Sequence, residues 1–356
     1  MIKEYGYNTF FEKQLTSELE TTYNKLDEAI IGRVVVDYGN GFKVATNKGI
    51  FKGHISGKLR FEEPLFPVIG DYVLSSFADK ETLVIHKVFT RATSFKRKVA
   101  GDEFKEQVQG ANFHFIFIVS SMNKDLNIRK LERYIITAWD TGATPVIILT
   151  KSDLADDLEE TKEAIEAIAL GVNIHCVSSL YHLNMDELDQ YLVPQKTIAL
   201  FGASGVGKST LINTLAGNQH LKVNHIREDD ARGRHTTTHR ELIKLDNGTL
   251  LMDTPGMREI GVWDDGSGLD QTFDDITSLE KLCKFRDCGH ENEPGCQVQA
   301  SLKDGSLDRK RYFSYLKLKK EIEYTQRKAA RKLAKSGYSK RKLPNTAIKT
   351  TWVEES

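Results

Sequence analysis

The segment Gly202–Ser209 constrains the fold of this chain more than any other part of the sequence, because it matches the pattern G-x-x-x-x-G-K-[ST] at every position. It follows the apolar run Thr197–Phe201 and precedes the helical pattern Thr210–Ala216. A strand, a glycine-rich turn and a helix in this order form a loop whose backbone N–H groups bind phosphate oxygens. The sequence therefore predicts an α/β fold that binds a nucleotide phosphate.

Two side chains of this phosphate loop have defined roles in the expected chemistry. Lys208 is expected to reach the β- and γ-phosphates of the nucleotide, and Ser209 is expected to bind Mg²⁺. The alternative interpretation is a glycine-rich turn that matches the motif by chance. The complete motif and its position between a strand pattern and a helix pattern argue against this alternative. The residues predicted to contact the phosphates are Gly202, Ala203, Ser204, Gly205, Val206, Gly207, Lys208, Ser209 and Thr210.

A second motif is expected to contribute to the phosphate site. It is Asp253–Gly256 (Asp-Thr-Pro-Gly), and it follows another short apolar run. We expect the Asp253 carboxylate to hold Mg²⁺ and the Gly256 amide to meet the γ-phosphate. Between the two motifs lies the polar segment Gly233–His239, which contains three consecutive threonines. One of these threonines is expected to complete the Mg²⁺ coordination; Thr237 is the candidate, and the sequence does not distinguish it from its two neighbours.

The motif Thr150–Asp153 (Thr-Lys-Ser-Asp) ends the apolar run Val146–Leu149 and predicts the site that reads the base. The Asp153 carboxylate can accept hydrogen bonds from guanine N1–H and the exocyclic amine, a donor pair that adenine lacks, so it would select GTP over ATP. Alone, the motif would equally fit a helix cap. The predicted guanine-binding residues are Thr150, Lys151, Ser152, Asp153, Ser178 and Ser179.

The order of these motifs differs from that in ordinary GTPases, in which the phosphate loop comes first and the base-reading motif last. Here the base-reading motif precedes the phosphate loop by about 50 residues. The same sheet forms if the domain is circularly permuted, because the termini of a domain commonly lie close together. Alternating strand and helix patterns over residues 111–280 predict a mostly parallel sheet with helices on both faces.

The remaining segments differ in character from this central domain. Residues 1–29 are acidic and weakly helical, and we interpret them as an N-terminal extension. Five short β-rich runs within residues 30–90 predict a small closed barrel of the oligonucleotide-binding (OB) type, with a purely structural barrel as the alternative. The basic residues of 91–110 indicate a mobile linker, and residues 281–356 carry a cysteine and histidine cluster followed by a basic helix.

The cluster consists of Cys283, Cys288, His290 and Cys296. Three thiolates and one imidazole form a closed tetrahedral set of the kind that structural Zn²⁺ prefers, with no position left for a catalytic water. Iron is the alternative metal, and buried cysteines without a metal are the alternative interpretation. Cys176 stands apart on a predicted strand, where we expect a core residue.

The charged residues are distributed unevenly, although basic and acidic residues number 50 each. Between Arg309 and Lys349, 15 lysines and arginines stand against two acids, which predicts a surface facing nucleic acid; a solvated charged helix is the alternative. No apolar run is long enough to span a membrane, and Met1–Leu15 lacks the apolar core of a signal peptide. We therefore predict a cytoplasmic protein without a membrane partner, and expect a monomer.

Together these features resemble the circularly permuted GTPases that depend on the small ribosomal subunit, a family called RsgA, YjeQ or YloQ. The resemblance covers about residues 30–320 and rests on the barrel, the motif order, the Gly-Arg-His-Thr-Thr-Thr segment and the metal cluster. It implies GTP hydrolysis, a zinc-bearing C-terminal domain and a role in late maturation of the small ribosomal subunit. The expected fold is a permuted α/β GTPase domain with an N-terminal OB-type β-barrel and a C-terminal zinc-binding helical domain.

Two positions bear on how such an enzyme would work. Thr150 stands where GTPases usually have Asn, and we expect this to loosen the link between the base site and the phosphate loop. Met257 stands where many GTPases place a Gln, and it cannot orient water by hydrogen bonding, so we expect slow intrinsic turnover and activation by a partner. By resemblance, His235 is the candidate for positioning water, with His239 as the other local choice. The predicted catalytic residues are His235, Lys208 and Gly256.

Three functions fit this sequence. The first is a GTPase that binds GTP and GDP and acts on the small ribosomal subunit and its rRNA. The second is a GTPase with another RNA or protein partner, which shares every catalytic residue. The third is a non-enzymatic RNA-binding scaffold that uses GTP as a structural ligand; Met257 is its one support, and the intact Lys208, Ser209 and Asp253 count against it.

Overall fold

The computed structural model describes residues 2–17, 19–62, 66–99, 102–123, 126–155, 157–217, 240–253, 267–291 and 293–335. The strands in these ranges are β1 (Ile30–Asp37), β2 (Phe42–Thr46), β3 (Ile50–Ile55), β4 (Tyr72–Phe77), β5 (Thr82–Val88), β6 (Ser94–Val99), β7 (Asp102–Ala111), β8 (Phe115–Ser121), β9 (Thr144–Thr150), β10 (Asn173–Cys176), β11 (Thr197–Phe201), β12 (Arg240–Lys244) and β13 (Leu250–Asp253).

The α-helices in the same ranges are α1 (Thr9–Ser17), α2 (Glu20–Tyr23), α3 (Gly57–Glu62), α4 (Ile128–Asp140), α5 (Leu158–Glu166), α6 (Lys208–Leu215), α7 (Ser267–Thr272), α8 (Asp274–Lys281), α9 (Gln297–Asp304) and α10 (Arg309–Lys335). Short 3₁₀ helices span Ile2–Tyr5, Ser152–Leu154 and Met185–Tyr191. Among the helices described, none combines the length and the apolar character that crossing a membrane requires.

Strands β1 to β5 close into a barrel. β1 pairs antiparallel with both β2 and β4. The pair β2–β3 and the pair β4–β5 are also antiparallel. The parallel pairing of β3 with β5 completes the circuit. Apolar side chains fill the interior, among them Val34, Val44, Val73 and Ile85, which are fully buried. The N-terminal barrel predicted from the sequence is confirmed.

The central sheet has the strand order β10-β9-β8-β11-β13-β12. The first five strands run parallel, and β12 is antiparallel to β13. Both faces are covered, because Ile116 and Ile118 of β8 pack in one apolar cluster while Phe117 and Val119 pack in another. β11, which leads into the phosphate loop, lies between β8 and β13 in the middle of the sheet. The predicted permuted, mostly parallel sheet is confirmed.

The barrel and the central sheet are hydrogen-bonded to each other. β1 pairs antiparallel with β12, with Val36 opposite Glu241 and Asp37 opposite Arg240. The Arg240 guanidinium also forms an ion pair with Asp37, with an N–O distance of 3.2 Å. One continuous sheet of eleven strands therefore runs from β10 to the barrel.

Residues 91–110 are not the mobile linker that their basic composition indicated. β6 and β7 form an antiparallel hairpin here, and the buried ring of Phe95 lies 5.6 Å from the ring of Phe201 in β11. Arg91 precedes the hairpin and donates to both carboxylate oxygens of the buried Asp71, at 2.8 and 2.7 Å. The basic composition of this segment did not indicate these buried contacts. A few buried contacts stabilise its structure more than many solvated charges destabilise it.

The N-terminal residues are also more than an extension. Tyr7 and Phe11 are buried against Tyr72 of β4, and the ring centroids of Phe11 and Tyr72 are 4.1 Å apart. The Gln14 amide exchanges two hydrogen bonds with the backbone of Thr90, at 3.1 and 2.7 Å. This segment therefore covers an apolar side of the barrel, which an acidic composition alone did not reveal.

A buried arginine joins the N-terminal segment, the barrel and the central sheet. Arg33 of β1 is 1% exposed. Its guanidinium donates to the carbonyl oxygens of Tyr5, Gly70 and Asn112, at 2.7, 3.1 and 2.6 Å, and to the Thr197 hydroxyl at 2.9 Å. Burial lowers the pKa of Arg33, because desolvation disfavours the charged form. The charge is stabilised by oriented dipoles from four separate segments.

We predict that Arg33→Met destabilises the protein strongly. Methionine fills a similar volume but removes the guanidinium donor from three buried carbonyl oxygens and from the Thr197 hydroxyl. The carbonyl oxygens of Tyr5 and Gly70 keep a second donor, from Tyr72 and Asn112, but each lost hydrogen bond to the charged group contributes about 1.5–3 kcal/mol. The free energy of unfolding should fall by at least about 3 kcal/mol, measured by urea denaturation. Arg133→Met is the matched control, because Arg133 is 38% exposed and its ion pair is expected to contribute at most about 1 kcal/mol. Equal shifts in the two variants would contradict the prediction.

The C-terminal helices pack on the central domain through α4. Ile136 of α4 belongs to the same buried cluster as Phe273 and Tyr315. Arg311 of α10 is 8% exposed; it donates to both carboxylate oxygens of Asp275, each at 2.7 Å. Along the described part of the basic helix, Tyr315, Leu318 and Ile322 are buried and form an apolar stripe.

Polar contacts also link α10 to α4. The Ser314 hydroxyl donates to Glu132 at 2.6 Å, and Arg133 donates to Glu321 at 2.7 Å. Glu132 is 4% exposed, and burial raises the pKa of its carboxyl, although Ser314 and nearby arginines oppose the shift. The interface between α4 and α10 therefore contains a carboxyl group whose ionised form is disfavoured.

We predict that Glu132→Gln raises the thermal unfolding midpoint at pH 7. Because the pKa of Glu132 is raised on folding, the folded state holds this proton more tightly, and stability falls as pH rises above the ordinary glutamate pKa. Glutamine mimics the neutral form, so its advantage should shrink as pH is lowered towards 4. Glu323→Gln, which removes an exposed carboxylate of α10, serves as the control. A lower midpoint at pH 7 would show that the charge is stabilising.

Candidate active site

The predicted nucleotide motifs meet at one edge of the central sheet. Thr150–Asp153 follows β9, Ser178 follows β10, the phosphate loop follows β11, and Asp253 ends β13. These strands are parallel, so their carboxyl ends lie on the same side. Ligands of open α/β sheets bind at this edge. The permuted order of the motifs along the chain is compatible with one site.

The phosphate loop has a positive φ at three glycines, Gly202, Gly205 and Gly207, a backbone conformation that glycine adopts without strain. Gly202 has φ +151°, and a Cβ placed on it would lie 2.1 Å from the carbonyl oxygen of Val119. Gly207 has φ +95° and immediately precedes Lys208, the first residue of α6. The close packing of Gly202 on β8 and the turn at Gly207 direct the N-terminus of α6 towards the loop.

Lys208 extends over the loop that it follows. Its Nζ atom donates to the carbonyl oxygens of Gly202 and Ala203, at 2.8 and 2.5 Å. The ammonium group is thus held at the loop itself rather than in solvent. Ser209 and Thr210 lie in the exposed first turn of α6, while Asp253 is half-buried at the end of β13.

Thr150 links the base motif to the phosphate loop by a direct hydrogen bond; the loosening expected from a Thr in place of Asn stays a prediction. Its hydroxyl donates to the carbonyl oxygen of Val206 at 2.5 Å. The neighbouring Lys151 donates from Nζ to the carbonyl oxygen of Gly205 at 2.9 Å. A threonine hydroxyl is long enough here because the two loops lie in direct contact.

The remaining residues of the base motif form the rim of this edge. Lys151 has φ +58°, and the Ser152 amide donates to the carbonyl oxygen of Val177 at 3.2 Å, which holds the motif beside the end of β10. Ser178 and Ser179 are buried, whereas the Asp153 side chain is exposed. The carboxylate is therefore accessible to a base that enters from solvent.

A cleft of about 210 Å³ adjoins the phosphate loop on the side of α4. Asn127, Lys130 and Tyr134 line it together with Ala203 and Ser204 of the loop. The Lys130 ammonium lies 5.6 Å from the centre of the Tyr134 ring. None of these three residues was predicted as a site residue. Asn127 caps the N-terminus of α4, and the spacing of three and four residues from it to Lys130 and Tyr134, which places these side chains on one side of the helix, was the available signal.

Five predicted residues lie outside the described residues. They are His235, His239, Thr237, Gly256 and Met257, and the structure supplies no geometry for them. The two threonines that flank Thr237 lie outside them as well. Their roles therefore stay predictions from the sequence.

The predicted metal ligands converge in the C-terminal region. The ligand atoms of Cys283, Cys288, His290 and Cys296 all lie within 4.8 Å of one another. The Sγ atoms of Cys283 and Cys296 are 3.9 Å apart, and His290 Nδ1 lies 3.6 and 3.5 Å from them. A tetrahedral ion with Zn–S and Zn–N bonds of ordinary length requires separations of about 3.8 and about 3.6 Å. Cys283, Cys296 and His290 therefore fit such an ion in both chemistry and distance, and Cys288 Sγ lies within 4.8 Å of their ligand atoms.

The backbone supports this arrangement of thiols. Cys296 is the N-cap of α9, and its Sγ accepts a hydrogen bond from the Gln299 amide at 3.4 Å. His290 has φ +57°, in the left-handed region, and the Gln299 side chain donates to its carbonyl oxygen at 2.5 Å. By contrast, Cys176 is buried in the core of the central domain, as predicted.

Comparisons with known proteins bear on the identity of this chain. The family model described as RsgA GTPase matches residues 88–263. The small ribosomal subunit biogenesis GTPase RsgA 1 of Listeria innocua is 41% identical over 352 residues, which are 98% of this chain and 97% of the relative. The chain belongs to the RsgA GTPase family. An RsgA of Methanosarcina acetivorans is 40% identical over 84% of the chain and 81% of its own length.

Solved structures of the RsgA type share this fold. YjeQ from Thermotoga maritima superposes with a TM-score of 0.63 at 26% identity, covering 83% of this chain and 98% of the other. The circularly permuted GTPase YloQ superposes with a TM-score of 0.60 at 24% identity, covering 83% and 96%. Membership of the RsgA family makes the protein a GTP hydrolase, and GTPase families imply Mg²⁺ with GTP.

We predict that Thr150→Val weakens the binding of GTP and GDP to this RsgA GTPase alike. Valine keeps the shape of the side chain but removes the donor to Val206, a loss of about 1 kcal/mol or slightly more. The dissociation constants of fluorescent GTP and GDP analogues should rise roughly five- to tenfold. Thr150→Ser keeps the hydroxyl and is the control. Wild-type affinity in the valine variant would mean that this hydrogen bond does not support the loop.

Proposed function

We propose that this GTPase binds the small ribosomal subunit and hydrolyses GTP during its late maturation. One observation carries the proposal. The base motif is hydrogen-bonded to the phosphate loop at a single sheet edge, in a chain that matches a small-subunit biogenesis GTPase over 98% of its length. We further propose that the protein acts in the cytoplasm as a monomer.

The nucleotide would lie along this edge with its base and its phosphates held separately. The Asp153 carboxylate would accept the guanine N1–H and amine hydrogens, and a backbone amide of the segment at Ser178 and Ser179 would meet O6. Because the Ser178 amide donates to the carbonyl oxygen of Leu183 at 3.1 Å, the Ser179 amide is the better candidate. The stem of Lys151 would lie along the base. The backbone N–H groups of Gly202–Thr210 would bind the phosphates, supported by the N-terminus of α6. The exposed position of Asp153 at the rim supports this orientation.

Hydrolysis requires neutralised phosphate charge and a positioned water. Ser209, Thr237 and Asp253 would hold Mg²⁺, which lowers the charge on the phosphate oxygens. The Lys208 ammonium would move from its carbonyl partners in the loop to the β- and γ-phosphates, a short movement because it already lies at the loop. The Gly256 amide would meet the γ-phosphate.

Turnover would be slow until the ribosomal partner binds. Met257 follows the Asp-Thr-Pro-Gly motif and offers no hydrogen bond to water. His235 is our candidate for the group that positions the attacking water, and its side chain would act in concert with the bound subunit.

The metal cluster would hold a structural zinc ion. Cys283, Cys288, His290 and Cys296 would provide all four ligands, which leaves no position for a reacting water. The ion would organise the short segment between α8 and α9, which buries few apolar side chains of its own. The distances among the donor atoms support this assignment.

The outer face of α10 supports an RNA partner. A stripe of residues spaced alternately by three and four is exposed along this helix: Lys310, Phe313, Lys317, Lys320, Tyr324, Arg327 and Arg331. The two aromatic side chains are 66% and 69% exposed. Cations would bind phosphates while aromatic rings stack on unpaired bases, so binding should weaken as salt rises.

The deciding experiment measures phosphate release from GTP by the purified protein. The protein is assayed alone and with small ribosomal subunits, large subunits or free RNA. Strong stimulation by small subunits only is the expected result. Equal stimulation by any RNA, or by none of these partners, would contradict the proposal and favour a different partner or a scaffold that holds GTP.

We predict that His235→Ala removes most of the stimulation by the small subunit. Loss of a group that positions water should lower stimulated turnover by about 10²-fold, while the affinity for GTP stays within about twofold. His239→Ala is the neighbouring control. Full stimulated turnover in the His235 variant would show that the water is positioned by another group.

A further inference from the structure

Glu280, at the end of α8, lies between the metal cluster and helix α10. Its Oε1 atom is 3.3 Å from Nε2 of His290. The same carboxylate accepts hydrogen bonds from the Tyr315 hydroxyl at 3.1 Å and from Lys319 Nζ at 3.2 Å. One half-buried side chain therefore contacts a predicted metal ligand and two residues of the basic helix.

The two ring nitrogens of His290 face different groups, which orient the imidazole. Nδ1 faces the thiols of Cys283 and Cys296, at 3.6 and 3.5 Å, and Nε2 faces Glu280. A carboxylate accepts a hydrogen bond and cannot donate one, so the ring proton belongs on Nε2 and the lone pair on Nδ1. Metal-bound histidines commonly have such a carboxylate beyond them, which fixes the tautomer and raises ligand basicity.

We propose that Glu280 positions His290 for the metal and couples metal binding to the docking of α10. The proposal rests on the zinc site proposed above, and it adds residues beyond the four ligands. Glu280 acts through His290 and is a positioning residue. The chemical class of the ion is a divalent cation with tetrahedral preference for thiolate and imidazole.

The contacts on the α10 side form a closed triangle. Lys319 Nζ donates to the Tyr315 hydroxyl at 2.9 Å, and both groups contact Glu280. Tyr315 is 1% exposed, so its hydroxyl has no access to water as a replacement partner. When His290 binds the ion, Glu280 is held in place for both α10 residues; when the ion is lost, this support weakens. Coupling of this kind is reciprocal, so the docking of α10 should also strengthen metal binding.

The first test is the affinity of the full-length protein for Zn²⁺, measured by competition with a chelator of known affinity. Glu280→Ala should lower the affinity about 10- to 100-fold. Glu280→Gln keeps an oxygen that accepts from Nε2–H, and it should recover part of the loss. Tyr315→Phe, which keeps the buried ring, should lower the affinity by less than Glu280→Ala.

Glu323→Gln is the matched control, because Glu323 is an exposed glutamate of α10 that pairs with Arg327 and not with the cluster. Wild-type protein that binds no Zn²⁺ would refute the metal site itself, and this inference with it. Wild-type protein that binds Zn²⁺, with Glu280→Ala within about twofold of it, would overturn only the role of Glu280.

The second test follows hydrogen exchange in α10 with and without metal. Removing the metal from the wild-type protein should accelerate exchange around Tyr315 and Lys319, whereas metal removal should change little in Glu280→Ala, in which the link is already broken. Nitrogen NMR should report His290 with its proton on Nε2. Exchange in α10 that does not respond to metal in the wild type would overturn the coupling.

Discussion

The four hydrogen bonds of Arg33 fix how the parts of this molecule fit together. They join the N-terminal segment at Tyr5, the barrel at Gly70 and the start of the phosphate-loop strand at Thr197. Because each bond has a required direction, the barrel is held in one orientation relative to the nucleotide edge, and the pairing of β1 with β12 reinforces it. Apolar packing alone would tolerate small rotations, whereas a buried guanidinium with oriented acceptors does not.

Helix α4 contacts both the nucleotide edge and the C-terminal helices. One face of this helix lines the cleft beside the phosphate loop through Lys130 and Tyr134, while Glu132 and Arg133 contact α10. A single rigid helix therefore lies between the nucleotide edge and the C-terminal helices. Together with Glu280, which links α10 to the metal cluster, it gives a continuous chain of contacts from phosphate loop to metal site.

Predictions that rest on local sequence patterns were correct, whereas features that depend on contacts between distant parts of the chain were missed. The phosphate loop, the permuted sheet and the barrel depend on local patterns of strand, turn and helix, and these were predicted correctly. The mobile linker predicted at 91–110 was wrong, and the packing of the N-terminal extension was not predicted, because Phe95 and Phe11 have partners far away in the chain. The hydrogen bond from Thr150 to the phosphate loop was not predicted either, since its acceptor is 56 residues away.

The sequence by itself determined which chemistry the chain carries, because glycines, Lys208, Asp153 and the cysteine cluster are recognisable from residue type and spacing. It also determined the family. Only the tertiary structure decided which groups hold these motifs in place: Arg33 between the domains, Thr150 under the phosphate loop and Glu280 behind His290. Each of these is a single side chain with a partner that is distant in sequence, which for Glu280 is Tyr315 or Lys319 of α10, and no local pattern encodes where a distant partner will lie.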